Sequence, residues 1–339
     1  MALEIVRRAA GSDAASTNDV AGRHRAAAAA LVSGIRATIA IIERRGREPR
    51  LRWRPRASTR ALIPAGGLLV AITLWLAIVA YSVFDIQGVL HFMQDGYAYW
   101  VAPAADPYHD AIVGAPGAYL YSPAFLQLMT PLRVLPWPAF VAVWAAILLG
   151  AAGYLGGRRL LALAVALSAP EIGGGNITLL LGVAIVLGFR WPWTWSFVLL
   201  SKLTPGVGLL WFAVRRQWNE LFVVGVGTAL IVGLSYAISP GAWLDWIAVL
   251  ERNAGATGTS AAIQVPLALR LPIAVGIIVW AARGDRRWAL PIGCLLAMPV
   301  VWFGSLTFLL ASVALLPGSV VDRVRDAFRR GAAGAAGAG

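Results

Sequence analysis

Apolar segments follow one another with few interruptions from residue 62 to residue 317 of this 339-residue chain. Apolar residues make up 59% of the sequence and charged residues only 13%, about half of the usual quarter. A soluble domain of this length has too little interior to hide so much apolar surface. We therefore expect an all-α, polytopic integral membrane protein, because helices satisfy their own backbone groups in lipid.

Hydropathy divides the apolar region into ten segments, several of them shorter than the ~20 residues that a full crossing needs. They cover roughly residues 62–82, 137–156, 158–170, 175–189, 191–201, 205–214, 218–238, 264–282, 288–299 and 300–317. Residues 121–132, YSPAFLQLMTPL, are expected to form a re-entrant or tilted segment. Allowing for this, we predict about 8 to 12 transmembrane helices, including short broken ones.

Positive charge is placed very unevenly along the chain. Of the 29 basic residues all but Lys202 are arginines, and 13 arginines precede residue 61. The stretch from Ala61 to Leu132 has no basic residue and four aspartates. Arginine-rich flanks stay in the cytoplasm and base-free loops are translocated. We therefore predict a plasma-membrane protein with both termini cytoplasmic and an outer loop at residues 83–120.

Three sequence regions follow from this topology. Residues 1–60 form a basic cytoplasmic arm whose pattern allows an amphipathic helix over residues 26–42. Residues 61–317 form the transmembrane domain, and residues 318–339 form a basic, Ala/Gly-rich cytoplasmic tail. The arm serves as a topology anchor or contacts anionic membrane lipids. A nucleic acid is not the expected partner, because no reader motif accompanies the arginines.

The outer loop and its flank carry the densest chemistry of the chain. Residues 91–125 contain three aspartates, two histidines and five tyrosines. If the segment after the first span is helical, Asp95 and Tyr99 share one face at positions i and i+4. A partly desolvated carboxylate at this place is a candidate general base. An aromatic belt at the membrane interface would account for the tyrosines without a function.

The order of several short motifs resembles glycosyltransferase family 87, whose members are polyprenol-phosphate-mannose-dependent α-mannosyltransferases of the GT-C membrane superfamily. The matching residues are Asp95 with Tyr99, Pro107 with Tyr108, Tyr121 with Pro123, Gly175 with Asn176, and Lys202 with Pro205 followed by Arg215 and Arg216. The late motif, Met298 to Ser305, has Trp302 but lacks the paired histidines of the family motif that it resembles. The resemblance implies a GT-C-like fold with its active site in the loop after the first span.

The resemblance also implies a reaction and its substrates. A sugar, mannose by the resemblance, would move from a polyprenyl-phosphate donor to a lipid or glycan acceptor on the non-cytoplasmic face. An inverting displacement needs a base for the acceptor hydroxyl and a cation for the departing phosphate. We expect Asp95 to be the base. The alternatives are Asp106, Asp110, or a purely structural role for Asp95 at a helix start.

Other residues are expected to bind the substrates. Lys202 is the first choice for the phosphate, because an intramembrane ionisable side chain is a functional hypothesis by default; snorkelling to the interface is the alternative. Asn176 either contacts sugar hydroxyls or caps the next helix, and Glu171 is at most an accessory polar contact. The remaining predicted binding residues are Tyr99, Tyr108, His109, Tyr121, Arg252 and Arg270. For the two arginines, the alternative is a salt bridge with Asp245 or Glu251.

No cofactor bound to the protein is expected beyond the lipid-linked sugar donor itself. The histidines and carboxylates lack the spacing of metal ligands, and the single cysteine, Cys294, lies in an apolar run. Two other classes remain open. A transporter or lipid-handling protein would also have broken helices and an intramembrane lysine. A structural membrane protein without activity would fit the missing late histidines.

Overall fold

The structure of the protein is a computed structural model. It describes residues 65–84, 93–103, 106–109, 111–115, 117–254 and 262–317. The basic arm with its predicted amphipathic helix, Asp110 and the C-terminal tail lie outside these ranges. The described residues form an all-helical protein, as the apolar composition predicts. The β pairing among these residues is limited to one isolated bridge between Ala262 and Trp302.

Thirteen α-helices lie within the described ranges. They are α1 (Ala65–Phe84), α2 (Gln94–Val101), α3 (Pro123–Arg133), α4 (Trp137–Gly157), α5 (Leu160–Gly174), α6 (Thr178–Gly188), α7 (Trp195–Ser201), α8 (Leu210–Val214), α9 (Trp218–Ile238), α10 (Pro240–Arg252), α11 (Leu267–Arg283), α12 (Leu290–Leu296) and α13 (Leu310–Ala314). Four short 3₁₀ helices lead into α7, α8, α12 and α13.

The helix boundaries follow the predicted apolar segments closely. Residues 218–238 are predicted and observed as one helix, and the predicted break near residue 157 separates α4 from α5. Gly157 has φ 63° and ψ 174°, a conformation that is open essentially to glycine alone. The chain turns back there, since a Cβ on Gly156 would lie 2.5 Å from the Cβ of Ala164.

Among the described residues, two helices, α4 and α9, are long and apolar enough to cross a membrane. The same ranges contain six further apolar helical stretches of only 10–17 residues. The predicted number of 8 to 12 crossings therefore stays a prediction. The segment at residues 121–132 is helical, as α3, with Ser122 as its N-cap.

Two helices near the site were not among the predicted apolar segments. The short helix α2 packs against α3 and α4, and the amphipathic helix α10 packs against α3 and α9. Both have too few apolar residues for a hydropathy search to find them. The helix α2 carries Asp95, the predicted base, in its first turn.

The packing around α2 is dominated by aromatic rings. Tyr99 contacts the rings of Tyr121, Phe125 and Trp144 edge-on, at centroid distances of 5.2–5.7 Å. Arg133, whose place next to the base-free stretch is otherwise unexplained, donates hydrogen bonds to the carbonyls of Trp100 and Ala102. A guanidinium at a helix C-terminus satisfies carbonyl groups that the helix leaves open. The aromatic contacts therefore hold one face of α2, and the hydrogen bonds from Arg133 hold its C-terminal end.

Candidate functional site

The turn between α5 and α6 brings the chain back against α2. Gly175 has φ 72° and ends α5 in the left-handed conformation, with hydrogen bonds from its own N–H to the Ile172 carbonyl and from Asn176 N–H to the Glu171 carbonyl. This is a common C-terminal cap of helices, and it favours glycine. The indole of Trp144 donates to the Gly175 carbonyl at 2.8 Å. The GGGN sequence therefore makes a tight, anchored turn.

A second reason for glycine at this turn is its distance from α2. A Cβ on Gly175 would lie 2.8 Å from the sulfur of Met93 and 2.9 Å from the backbone nitrogen of Gly96. Met93 itself is in the left-handed region, with φ 53°, and its N–H donates to the Gly173 carbonyl at 2.6 Å. The close approach brings the first turn of α2 against residue 176.

This contact joins Asp95 directly to Asn176. The Asn176 amide nitrogen donates to Oδ2 of Asp95 at 2.6 Å. The amide oxygen accepts from the Lys202 ammonium at 3.2 Å and from the Thr178 hydroxyl at 3.1 Å. Because the carboxylate must accept and the ammonium must donate, these partners determine the orientation of the amide. We call these four side chains, together with Glu171, the Asp95–Lys202 network.

Lys202 is held in this network by the break after α7. It has extended backbone angles, φ −133° and ψ 101°, and its N–H still bonds to the Val198 carbonyl at 2.9 Å. The hydroxyl of Ser122 donates a hydrogen bond to the carbonyl of Leu200, two residues earlier. The YSP motif therefore anchors the end of α7. The side chain of Lys202 is half-buried, so its ammonium can still meet a ligand.

Glu171 is the second carboxylate of the network. It lies in the last turn of α5 and is only 3% exposed. It interacts electrostatically with both Lys202 and Asp95, and Thr178 lies beside it. A lone carboxylate in an apolar helix is a sequence signal of function. Thr178, by contrast, could not be singled out from the sequence, because one threonine in an apolar helix is unremarkable.

Asp95 has the environment of a proton acceptor. Burial raises the pKa of its carboxyl above the ordinary value, while the charge of Lys202 and the hydrogen bond from Asn176 partly oppose this rise. A raised pKa makes a carboxylate a stronger base at neutral pH. The side chain is half-buried, so a hydroxyl group can approach its free oxygen atom.

The three predicted tyrosines lie in the aromatic core, and Tyr99 and Tyr121 interact electrostatically with Asp95 and Glu171. The Tyr99 hydroxyl bonds to that of Tyr121 at 3.0 Å, and the Tyr108 hydroxyl donates to the Tyr121 carbonyl at 2.7 Å. Their exposure is 0%, 3% and 8% for Tyr99, Tyr108 and Tyr121. In this structure the three rings are part of the buried core. Direct contact of these rings with a substrate stays a prediction.

Two other predicted binding residues are exposed and lie apart from these contacts. His109 lies beside Asp106, with 3.4 Å between Nδ1 and Oδ2, and both side chains are more than half exposed. Arg252 is exposed at the end of α10. The hydrogen bonds that join Asp95, Asn176 and Lys202 do not include either residue, and their substrate contacts stay predictions.

Arg270 has a different environment from the one that the sequence suggested. It is 5% exposed, and its guanidinium donates to the carbonyls of Val265, Leu296, Met298 and Pro299 at 2.7–2.9 Å. Four of its five N–H groups are thus used by the backbone. Instead of a salt bridge with Asp245 or Glu251, it closes the break after α12. This geometry supports a structural role for Arg270.

The predicted outer loop is only partly described, because its residues 85–92 lie outside the described ranges. A surface pocket of about 540 Å³ is lined by residues of α11 and the following turn, including Trp280, Arg283 and Arg286. None of its lining residues belongs to the Asp95–Lys202 network. Within the described ranges, no three His, Cys, Asp or Glu side chains are grouped to hold a metal ion.

The network offers two kinds of chemistry within one set of hydrogen bonds. Asp95 can accept a proton, and Lys202 can stabilise an anion, with Asn176 bonded to both. This combination suits a displacement in which a hydroxyl group loses a proton while an anionic group departs. Asp95 reaches the site from α2, Glu171 and Asn176 from the α5–α6 turn, and Lys202 from the end of α7.

Comparisons with known proteins give one match. The family model of glycosyltransferase family 87 matches residues 119–332, more than half of the chain. Glu171, Asn176, Thr178 and Lys202 fall inside this range, whereas Asp95 lies before it. Searches of curated proteins and of solved structures found no match.

Proposed function

The chain belongs to glycosyltransferase family 87, and on this premise we propose that it is a membrane glycosyltransferase that uses a polyprenyl-phosphate sugar as donor and Asp95 as its base. The sugar proposed is mannose, by the family resemblance, and the acceptor is a lipid or glycan hydroxyl. Family membership favours a transferase over a transporter or a protein without activity. A lipid-linked donor fits a protein whose helices are mainly apolar.

One observation carries the proposal. A single amide, that of Asn176, holds a carboxylate at 2.6 Å and an ammonium at 3.2 Å. Fixed geometry of this kind lowers a barrier because the catalytic groups need no rearrangement during the reaction. The base is half-buried and its pKa is raised by burial, which suits proton transfer from an alcohol.

The proposed reaction is a one-step inverting displacement. The acceptor hydroxyl oxygen forms a bond to the anomeric carbon while its proton passes to Asp95. The bond between the anomeric carbon and the phosphate oxygen breaks, and its electron pair stays on the polyprenyl phosphate. This phosphate gains one negative charge, which Lys202 stabilises. The products are the glycosylated acceptor and polyprenyl phosphate.

The arginine distribution supports a site on the non-cytoplasmic side of the plasma membrane, with both termini inside. In this topology the α5–α6 turn and the break after α7 lie at the outer surface. The polyprenyl tail stays in the bilayer, and its phosphosugar enters from the side. The basic arm at residues 1–60 would contact anionic lipids on the inner surface.

The test is sugar transfer by the purified protein in lipid, with radiolabelled mannose on a polyprenyl-phosphate donor. Asp95→Asn keeps the shape of the side chain and removes the base, so transfer should fall about 100-fold or more, within the range for a general base. Asp106→Asn is the matched control, because Asp106 is exposed and pairs with His109.

The two aspartate variants separate the possible outcomes. Loss of transfer in Asp95→Asn alone supports the assignment. Loss in Asp106→Asn alone would move the base to Asp106. Normal transfer in both variants would refute the mechanism. Donors with glucose or arabinose in place of mannose test the sugar, and a wild-type protein that transfers none of them would contradict the proposed function.

A further inference from the structure

Glu171 has an unusual position for an ionisable side chain. It is 3% exposed, and its Oε1 atom is buried without a hydrogen-bond partner among the described residues. On its other side, a Cβ on Gly304 would lie 2.7 Å from Oε2. A buried carboxylate is costly unless a cation compensates its charge. The charge of Lys202 acts on this carboxylate electrostatically, and the side chain and N–H of Thr178 also bond to it.

Lys202 has spare capacity for this role. An ammonium has three donors, and one of them is used by the Asn176 amide oxygen. Two carboxylates, Glu171 and Asp95, act on it electrostatically from two different elements. The ammonium therefore lies in a field that two negative charges create together.

The proposed reaction changes only one of these two charges. When Asp95 takes the proton of the acceptor, it becomes neutral and no longer attracts Lys202. Glu171 is only 3% exposed, so we expect it not to contact the acceptor. It is then the negative charge that still holds the ammonium at the moment when the phosphate departs.

We propose that Glu171 is a positioning residue for Lys202: its buried carboxylate holds the ammonium where it binds the phosphate of the lipid-linked donor. The inference rests on the proposed function and adds a second carboxylate to it. Gly304 lies against the same carboxylate, because a Cβ at residue 304 would lie 2.7 Å from Oε2 of Glu171 and would displace it. The late motif, which lacks histidines, thus contributes through its glycine.

The experiment measures binding of short-chain polyprenyl phosphate to the full-length protein in detergent. This ligand is the leaving group itself, so no turnover is needed. The proteins are the wild type, Glu171→Gln, Lys202→Gln and the double variant. Residues in one network show coupled effects, whereas independent residues show additive ones.

We expect Lys202→Gln to weaken binding about tenfold, as the loss of a charge-assisted hydrogen bond predicts. Glu171→Gln should weaken it about fivefold, since residues of one network couple in this range. The double variant should bind no more than about twofold worse than Lys202→Gln alone, because Glu171 acts only through Lys202. The proposal would be overturned if the loss of affinity in the double variant equalled the product of the two single losses, or if Glu171→Gln bound more tightly than the wild type.

Two further variants keep the test decisive. Gly304→Ala retains Glu171 but displaces its carboxylate. It should lower the affinity when introduced into the wild-type protein, but not when introduced into the Lys202→Gln variant. Glu220→Gln is the control for removing a buried glutamate, since Glu220 is 7% exposed on α9, outside the network. It should bind like the wild type. A loss in Glu220→Gln equal to that in Glu171→Gln would assign the effect to folding and refute the proposal.

The proposed function and this inference fail in different ways. If the wild type does not bind polyprenyl phosphate at all, the lipid-phosphate donor is wrong. If the wild type binds it and Lys202→Gln does not, the donor site stands. In that case an unchanged affinity in Glu171→Gln and Gly304→Ala refutes the role of Glu171 alone.

Discussion

Asn176→Ala removes the group that joins the base to the cation. The alanine deletes the donor to Asp95 at 2.6 Å and the acceptor for Lys202 at 3.2 Å, and it removes the amide oxygen that accepts from the Thr178 hydroxyl. The backbone of residue 176 keeps its hydrogen bond to the Glu171 carbonyl. The perturbation is therefore confined to the side chains of the network.

The magnitude follows from the two charge-assisted hydrogen bonds. Each is worth about 1.5–3 kcal/mol, and because they share one amide their losses do not simply add. About 2.7 kcal/mol of lost transition-state stabilisation corresponds to a roughly 100-fold lower kcat. We expect a fall of this size for transfer from the polyprenyl-phosphate donor. The pKa of Asp95 should rise as well, since the hydrogen bond from Asn176 lowers it.

A matched control is Asn253→Ala. Asn253 also makes three side-chain hydrogen bonds, to Val113 N–H at 2.9 Å and to the carbonyls of Ala111 and Val249 at 2.9 Å, but it lies at the end of α10. Both variants should lower the thermal unfolding temperature by similar amounts. Only Asn176→Ala should lower kcat about 100-fold. A kcat within threefold of the wild type in Asn176→Ala, with the protein folded, would refute the reasoning.

Two other predictions follow from the same geometry. Because burial raises the pKa of Asp95 and the reaction needs its unprotonated carboxylate, kcat/KM should fall as the pH drops through that raised pKa. Lys202→Gln should move this fall in kcat/KM to higher pH, since Lys202 lowers the pKa of Asp95. An unchanged pH profile in Lys202→Gln would show that Lys202 does not act on the base. Arg270→Lys should lower the unfolding temperature while leaving the donor KM unchanged, because its guanidinium binds four backbone carbonyls; a raised donor KM in a protein of normal stability would instead return Arg270 to the phosphate site.

The sequence predicted the helices well where apolar pattern alone decides them. The segment at residues 218–238 and the break at residue 157 depend on local composition and on one glycine. The short helix α2 depends on packing against α3 and α4, which no local pattern records. The number of membrane crossings is harder still, because half-length helices gain their place from neighbours rather than from their own hydropathy.

The site residues show the same division. Asp95, Asn176 and Lys202 can be selected from the sequence as polar groups at breaks or loop starts, and the structure brings all three together. Their connection depends on the close approach of Gly175 to Gly96, where a Cβ on Gly175 would lie 2.9 Å from the Gly96 nitrogen. The two glycines are 79 residues apart in sequence, so only the fold supplies this contact. Arg270 shows the opposite case. Its charge suggests a phosphate site, but its partners are backbone carbonyls that the sequence does not mark.

The broken helices explain why a polar site can be rigid in an apolar protein. Each break frees carbonyl groups that lipid cannot satisfy. In this structure side chains from other elements donate to them: Trp144 to Gly175, Ser122 to Leu200, Arg133 to Trp100 and Ala102, and Arg270 to Leu296, Met298 and Pro299. The donors Trp144 and Ser122 bind the turns next to Asn176 and Lys202. Since the backbone is satisfied by other groups, the ammonium of Lys202 and the carboxylate of Asp95 stay available for a substrate, and their geometry is set before the substrate arrives.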